Sequence, residues 1–336
     1  MAYAPRPLAL TMGEPAGVGG EITLKAFAAR KERSLPGFFV IDDPSRLRQL
    51  ISDLNLNIEI QVVQTPADAA AAFATQLPVV DVGLTGEYIP GKPSPTSAKA
   101  VLGSIDRAVK LALAGSIGGI VTNPIQKSSL YDSGFRFQGH TDYIAHLCPG
   151  LPTPVMMLAS DVLRVVPITQ HIPLADVPGA LTTDLIVETG RITAQALVTD
   201  FGIAHPRIAI AALNPHAGES GKIGREEDTL IAPAIAALRS EGIEATGPFP
   251  PDSLFHSAAR RTYDAALCMY HDQALIPVKT IAFDSAVNVT LGLPIVRTSP
   301  DHGTALDIAG KGVASAENLM AAIRMADEMA KRRASL

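Results

Sequence analysis

Three histidines of the chain follow apolar runs that have the composition of buried β-strands. His171 comes after LRVVPITQ, His216 after IAIAALNP and His271 after AALCMY. Ligands of open α/β sheets gather at the carboxyl ends of strands, so these side chains could meet at one edge. Three neutral imidazoles suit a divalent metal ion with open coordination positions. The spacings of 45 and 55 residues form no short metal-binding motif, so a structural, hydrogen-bonded role for each histidine stays open.

Two cations, Lys279 and Arg297, stand within the apolar stretches IPVKTIAF and LPIVRTSP. A cation among apolar neighbours usually has an anionic partner, although both side chains are long enough to reach the surface. Arginine can bind phosphate with two parallel hydrogen bonds, and lysine can act as a point charge or in acid–base work. Between them, Asn288 is either a turn residue or a ligand of the substrate. The pattern favours a small anionic ligand.

A further pair of polar residues, His140 and Thr141, stands in RFQGHTD just before an expected helix over 143–147. Thr141 could cap that helix. Alternatively, the backbone N–H groups of the helix start and the imidazole of His140 could bind a carboxylate or phosphate. Both readings are open at this point.

The carboxylates are weaker candidates for a functional role than the histidines and cations. Asp272 directly follows His271 and could support a histidine or polarise a lysine, as could Asp252 and Glu219. Loop carboxylates are mostly solvated, so these residues are secondary candidates. The glycine-rich start GEPAGVGGE lacks the GxGxxG order of a dinucleotide-binding turn and has no GK[ST]. It is therefore predicted to be a tight strand-to-helix connection.

The elements that must position these residues alternate between short apolar runs and longer amphipathic stretches. This alternation predicts an α/β fold with largely parallel sheets. We expect strands over 7–12, 37–41, 58–63, 77–80, 118–121, 155–158, 163–167, 207–213 and 265–270. We expect helices over 20–30, 44–54, 95–114, 183–201, 228–241 and 316–332.

Composition restricts the class of protein. The 336 residues are 47% hydrophobic and 18% charged, which provides for two lobes with sizeable cores. The net charge of −5 and the lack of a basic tract argue against nucleic-acid binding. The two cysteines, Cys148 and Cys268, lie in apolar contexts and suit a reducing compartment. With no apolar run of signal-peptide or membrane-helix length, we expect a cytoplasmic protein without membrane contact.

Several long and ordered motifs together resemble a known family. They are GEPAGVG, GHTD, LNPHAGE, MYHDQ and NVTLGLPIVRTSPDHGTALDIAGKG. They resemble the 4-hydroxythreonine-4-phosphate dehydrogenases, NAD-dependent enzymes of pyridoxal 5′-phosphate biosynthesis, and the resemblance runs essentially from end to end. It implies two α/β/α lobes around a cleft, as in isocitrate and isopropylmalate dehydrogenases. We expect one lobe over approximately 1–125 plus 300–336, and the other, with the metal and substrate site and the dimer contacts, over approximately 126–299.

The resemblance also implies roles for individual residues. The expected ligands of a divalent ion (zinc, magnesium or cobalt) are His171, His216 and His271. The expected substrate contacts are His140, Thr141, Lys279, Asn288 and Arg297. The expected contacts to NAD or NADP are His302, Gly303, Thr304 and Asp307. The family implies a homodimer with its active site at the subunit interface.

The implied reaction is the oxidation of 4-phosphooxy-L-threonine to 2-amino-3-oxo-4-phosphooxybutanoate, which loses CO2 to give 3-amino-2-oxopropyl phosphate. The proton acceptor is expected to be Lys279, or a water relayed to Asp272. Related dehydrogenases that act on threonate or erythronate 4-phosphate, or on a cyclic dihydrodiol carboxylate, could keep the same metal ligands. A phosphotransacylase shares the architecture but needs no histidine trio. A non-catalytic binding module would leave the histidines and cations without a joint purpose.

Overall fold

The computed structural model describes residues 6–86 and 88–336. The strands are β1 Leu8–Thr11, β2 Phe38–Asp42, β3 Ile60–Val62, β4 Leu77–Asp81, β5 Ile120–Val121, β6 Val155–Ala159, β7 Arg164–Pro167, β8 Arg207–Ala211, β9 Glu244–Phe249, β10 Ala265–Cys268, β11 Val287–Leu291 and β12 Arg297–Pro300.

The helices are α1 Gly19–Ala29, α2 Pro44–Asp53, α3 Pro66–Ala72, α4 Ala98–Leu113, α5 Lys127–Tyr131, α6 His140–Leu147, α7 Val177–Ala180, α8 Thr183–Thr199, α9 Ala232–Ser240, α10 Pro251–Leu254, α11 His271–Ala282 and α12 Glu317–Arg333. No helix in the described ranges combines the length and the apolar character needed to cross a membrane.

The chain forms two compact units. The first runs to Pro154 and resumes over Leu293–Ser335, and the second is Val155–Gly292. The expected division near residues 125 and 300 differs from these bounds because α6 belongs to the first unit. Ile144 and Cys148, on and just after α6, pack into a core cluster with Ile105 and Ile120.

The first unit contains a fully parallel run of strands in the order β3-β4-β2-β1-β5-β12. The central strand β1 is buried along its whole length, as expected for a parallel sheet covered on both faces. The register pairs Ala9 of β1 and Arg297 of β12 with the same residue of β5, Ile120. The last strand is therefore aligned so that Arg297 lies beside the start of β5, and Thr298 lies beside Val121 at its end.

The second unit contains the strands in the order β11-β6-β7-β10-β8-β9. The four strands β7, β10, β8 and β9 are parallel, whereas β6 is antiparallel to both β11 and β7. Because β7, β10 and β8 are parallel neighbours, their carboxyl ends meet at one edge of the sheet. The predicted α/β class is confirmed.

One helix and two strands beside the candidate residues differ from the sequence expectation. Helix α11 starts at His271 and continues through Pro277, whose missing N–H normally argues against a helix interior. Its apolar residues also spread around the helix rather than along one stripe. The short strands β11 and β12, which were not predicted, carry Asn288 and Arg297.

A buried ion pair joins β2 to α2 in the first unit. Arg46 donates from Nε to Oδ1 of Asp42 at 3.1 Å, and a second bond joins Nη2 to Oδ2. The two side chains are 2% and 1% exposed. Arg46 also donates to the carbonyl of Pro15, and a Cβ on Gly20 would stand 2.9 Å from its guanidinium. This pair therefore fixes the glycine-rich connection between β1 and α1.

We predict that Asp42→Asn destabilises the protein by about 3–5 kcal/mol, because it leaves the Arg46 charge buried without its counter-ion. The matched control is Glu317→Gln, which breaks the exposed Arg33–Glu317 pair and should cost no more than about 1 kcal/mol. Urea-induced unfolding followed by circular dichroism measures both. Equal losses of unfolding free energy in the two variants would show that the buried Asp42–Arg46 pair contributes no more to stability than an exposed pair.

Candidate active site

Each of the three strand-end histidines leaves one of the parallel strands in the second unit. His171 follows β7, His216 follows β8, and His271 opens α11 directly after β10. The rings of His171 and His271 lie side by side with centroids 5.8 Å apart. They line a cavity of about 250 Å³ together with Thr169, Tyr270 and other residues of the same edge. The fold therefore brings two of the histidines together.

The neighbouring carboxylate sets the tautomer of His271. Its Nδ1 lies 2.7 Å from Oδ1 of Asp272. A carboxylate oxygen accepts hydrogen bonds, so this contact requires a proton on Nδ1, and in the neutral imidazole it leaves the lone pair on Nε2. A carboxylate that fixes a histidine in this way is the usual outer partner of a metal-binding imidazole.

The third histidine, His216, lines an adjacent cavity with Asn214, Asp252 and Gln273. Tyr270 borders both this cavity and that of the other two histidines. Within the described ranges, no three His, Cys, Asp or Glu side chains are grouped closely enough to hold a metal ion. The structure thus pairs His171 with His271 and places His216 in the neighbouring cavity.

The backbone at two of these histidines is in the left-handed region. His171 has φ 36° and His216 has φ 51°. Non-glycine residues rarely adopt this conformation, which costs on the order of 1–2 kcal/mol, and such residues cluster at functional sites. The donor chemistry, the His271 tautomer and the two strained backbones together fit a metal site built on imidazoles.

A buried arginine marks a second group of candidate residues, in the first unit. Arg297 is 3% exposed. It donates from Nε and Nη2 to Oγ1 of Thr122, at 3.2 and 2.7 Å. Burial lowers the pKa of Arg297 to about 10, so the guanidinium keeps its charge at neutral pH. It therefore presents a fixed, largely desolvated cation.

His140 stands at the start of α6 in the same unit. Burial, followed by the charges of Arg297 and Lys127, lowers its pKa well below the ordinary 6.5. The imidazole is therefore neutral, and its buried Nε2 has no hydrogen-bond partner among the described residues. The capping role considered for Thr141 is wrong: Gly139 is the N-cap, and Thr141 lies within the first turn. These features fit an anion-binding set.

Two further predicted substrate contacts lie in the second unit. Lys279 is about two turns along α11 from His271, and both line a shallow groove that also includes Asp272. Asn288 pairs with Leu158 of β6 in the interior of β11, so the turn alternative is wrong. Its Oδ1 is buried and has no hydrogen-bond partner in the described part of the chain. A buried acceptor of this kind is suited to a ligand N–H or O–H donor.

The expected cofactor loop packs against the glycine-rich connection of the first unit. Val18 donates its N–H to the carbonyl of Thr304 at 3.0 Å. A Cβ on Gly17 would stand 2.8 Å from that carbonyl oxygen, so only glycine permits the approach. His302 bonds through Nδ1 to the carbonyl of Gly303, and its Nε2 is buried without a described partner. Asp307 is exposed.

The connection from β1 to α1 is the tight turn that the sequence predicted, with α1 beginning at Gly19. The model of the Pyridoxal phosphate biosynthetic protein PdxA family matches residues 35–326. The chain belongs to the PdxA family.

Relatives of the PdxA chain agree with the match. A protein of Erythrobacter litoralis named 4-hydroxythreonine-4-phosphate dehydrogenase is 53% identical over 336 residues, covering 99% of each chain. A crystal structure of the enzyme of that name from Klebsiella pneumoniae has a TM-score of 0.87 and 37% identity, covering 97% of this chain and 99% of the other. The resemblance inferred from the motifs is confirmed.

A more distant structure shows that this fold also occurs in an enzyme named for a different substrate. The terephthalate 1,2-cis-dihydrodiol dehydrogenase of Burkholderia xenovorans matches with a TM-score of 0.65 and 27% identity, covering 97% of this chain and 98% of the other. The fold alone therefore does not fix the substrate of a protein with this architecture.

Sequence reasoning missed one cation of the PdxA chain. Lys127, the first residue of α5, lies so close to Gly139 that a Cβ there would be 3.7 Å from its Nζ. Its charge, like that of Arg297, acts on His140. In the sequence it is an isolated lysine in a polar context, and only the packing of α5 against the start of α6 reveals its position.

The neutral state of His140 predicts a pH dependence of stability. Its pKa is lower in the folded than in the unfolded chain, so the unfolded chain takes up the proton first. Stability is therefore lost as the pH falls below about 6.5, by up to about 1.4 kcal/mol per pH unit. The midpoint of thermal unfolding should fall less between pH 7.5 and pH 5 in His140→Gln than in the wild type.

The control for this measurement is His205→Gln, because His205 is exposed. That variant should keep the pH dependence of the wild type. If His140→Gln also keeps it, His140 is not held neutral in the folded protein.

Proposed function

We propose that the chain is a metal-dependent NAD(P) dehydrogenase that oxidises 4-phosphooxy-L-threonine to 2-amino-3-oxo-4-phosphooxybutanoate. This β-keto acid then loses CO2 to give 3-amino-2-oxopropyl phosphate, a step of vitamin B6 biosynthesis. The observation that carries the proposal is the pairing of His171 with His271, whose tautomer Asp272 fixes, in a chain of the PdxA family. The names of the relatives support the substrate.

The metal ion would be held by His171, His216 and His271, and zinc, magnesium or cobalt could occupy the site. Nitrogen ligands favour zinc or cobalt over magnesium. When bound, such an ion supplies Lewis-acid polarisation that lowers the pKa of an alcohol and stabilises negative charge on an adjacent carbonyl oxygen.

The chain's own cations would bind the phosphate and carboxylate of the substrate. Arg297 offers a charged fork held by Thr122, and Lys127 adds a second positive charge near His140. The neutral imidazole of His140 and the hydroxyl of Thr141 can donate or accept hydrogen bonds without adding charge. Lys279 and the buried amide oxygen of Asn288 complete the proposed substrate contacts. Such fixed contacts orient the alcohol for transfer and lower the entropic part of the barrier.

The oxidation requires one hydride and one proton to leave the alcohol. NAD or NADP, whose contacts we assign to His302, Gly303, Thr304 and Asp307, would supply the hydride acceptor. The hydroxyl proton would pass to a base of the second unit. We propose Lys279, as the neutral amine, or a water relayed to Asp272 as the acceptor. Asp272 also orients His271 through Nδ1.

The active form is proposed to be a homodimer. Ile276 on α11 is 63% exposed, and Phe283, seven residues later, is 71% exposed. Side chains seven residues apart lie on the same helical face, so this face presents apolar surface next to the groove lined by Lys279. A second copy of the chain would bury it.

The substrate assignment predicts a specific result in a spectrophotometric assay. Purified protein with NAD and a divalent ion should produce reduced cofactor, followed by its absorbance, with 4-phosphooxy-L-threonine. The dephosphorylated amino acid should react at least about a hundredfold more slowly, because it loses the phosphate contacts to Arg297 and Lys127. Faster turnover of threonate 4-phosphate, erythronate 4-phosphate or a dihydrodiol carboxylate would sink the substrate assignment.

Metal removal tests the role of the proposed ion in the same assay. Protein treated with a chelator and freed of it should lose activity, and Zn²⁺ or Co²⁺ should restore it. His216→Ala should keep its circular dichroism spectrum but lose at least about a hundredfold in kcat. Full turnover by metal-free protein would overturn the metal role.

A further inference from the structure

The loop that carries His216 has an unusual backbone. Six consecutive residues, from His216 to Gly221, have positive φ: 51°, 52°, 76°, 45°, 56° and 81°. Four of them are not glycine, and each such residue costs on the order of 1–2 kcal/mol in the left-handed region. A turn with this much strain persists only where surrounding groups determine it.

Glu227 supplies such a determinant. Its side chain is buried, at 4% exposed. Oε1 accepts the backbone N–H groups of Leu213 and Asn214 at 2.9 and 2.7 Å. Oε2 accepts Nδ2 of Asn214 at 3.0 Å. These three donors offset the desolvation of the carboxylate and fix the chain directly before His216.

Two glycines allow the loop to close around this carboxylate. A Cβ on Gly218 would stand 2.6 Å from Oε2 of Glu227, and one on Gly224 would stand 2.2 Å from Nδ2 of Asn214. Both glycines also have positive φ, at 76° and 129°. The left-handed turn is thus wrapped tightly against the Glu227–Asn214 contact.

The element that carries Glu227 is itself irregular. Residues Glu227–Ile231 form a π-helical turn, and the N–H of Ala232 donates to the carbonyl of Glu227, five residues earlier. Single π turns are frequent at functional sites. Glu227 opens this wide turn, whereas Asp228, the next residue of the same turn, is exposed.

We infer that Glu227 is a positioning residue, which holds the left-handed turn so that His216 can act as a metal ligand. This inference rests on the proposed metal site. Glu227 itself binds neither metal nor substrate. It acts through the backbone N–H groups of Leu213 and Asn214. The π turn that it opens determines the position of its carboxylate.

Cobalt binding tests the inference without turnover. Metal-free Glu227→Gln should bind Co²⁺ at least about tenfold more weakly than the wild type, as expected when an outer partner of a metal site is altered. The glutamine turns an N–H₂ group toward Nδ2 of Asn214, so two donors face each other and the turn loosens. The visible absorption of bound Co²⁺ should therefore shift toward that of His216→Ala, in which this ligand is absent. The control Asp228→Asn should match the wild type. Wild-type affinity and spectrum in Glu227→Gln would overturn the inference.

Amide hydrogen exchange of the metal-free protein separates this inference from the metal proposal. Peptides that contain Leu213 and Asn214 should exchange faster in Glu227→Gln than in Asp228→Asn, with the rest of the chain unchanged. If the wild type takes up no Co²⁺, the metal proposal fails, and unchanged exchange would show that Glu227 does not hold the turn. Faster exchange with an unaltered Co²⁺ site would restrict Glu227 to a structural role and also overturn the inference.

Discussion

The parallel pairing of β7, β10 and β8 is the constraint on which the candidate site depends. Parallel neighbours must end at the same edge of a sheet. Residues that are far apart in sequence therefore come to lie side by side at one edge of the sheet in the second unit. His171 and His271 meet in this way. His216, which follows the third of these strands, lines the neighbouring cavity. The histidine set is therefore a consequence of topology rather than of a local motif.

Electrostatics sets the state of the candidate groups within each unit. In the first, burial fixes a charged guanidinium at Arg297 and keeps His140 neutral beside it. In the second, Asp272 fixes one imidazole by a direct hydrogen bond, and Glu227 fixes the approach to another through the backbone. Both carboxylates orient other groups, Glu227 from a buried position and Asp272 from an exposed one.

The sequence predicted the features that leave local signals and missed those that depend on packing. The apolar runs gave most of the strands and the α/β class, and the ordered motifs gave the family. Helix α11 was missed because Pro277 interrupts an evenly apolar pattern. Lys127 and Glu227 were missed because an isolated lysine, and a glutamate in the polar run REEDT, look like ordinary solvated residues. Only the tertiary structure shows that Glu227 is buried against Asn214.

We propose that three histidines, which follow three neighbouring parallel strands, bind one metal ion together. The most direct measurement is an anomalous difference map at the zinc absorption edge, from crystals grown with Zn²⁺. A shared site should give one strong peak with nitrogen atoms of His171, His216 and His271 at about 2.0–2.1 Å. A peak bound by His171 and His271 alone, with His216 still in its own cavity, or no peak at this edge of the sheet, would contradict it.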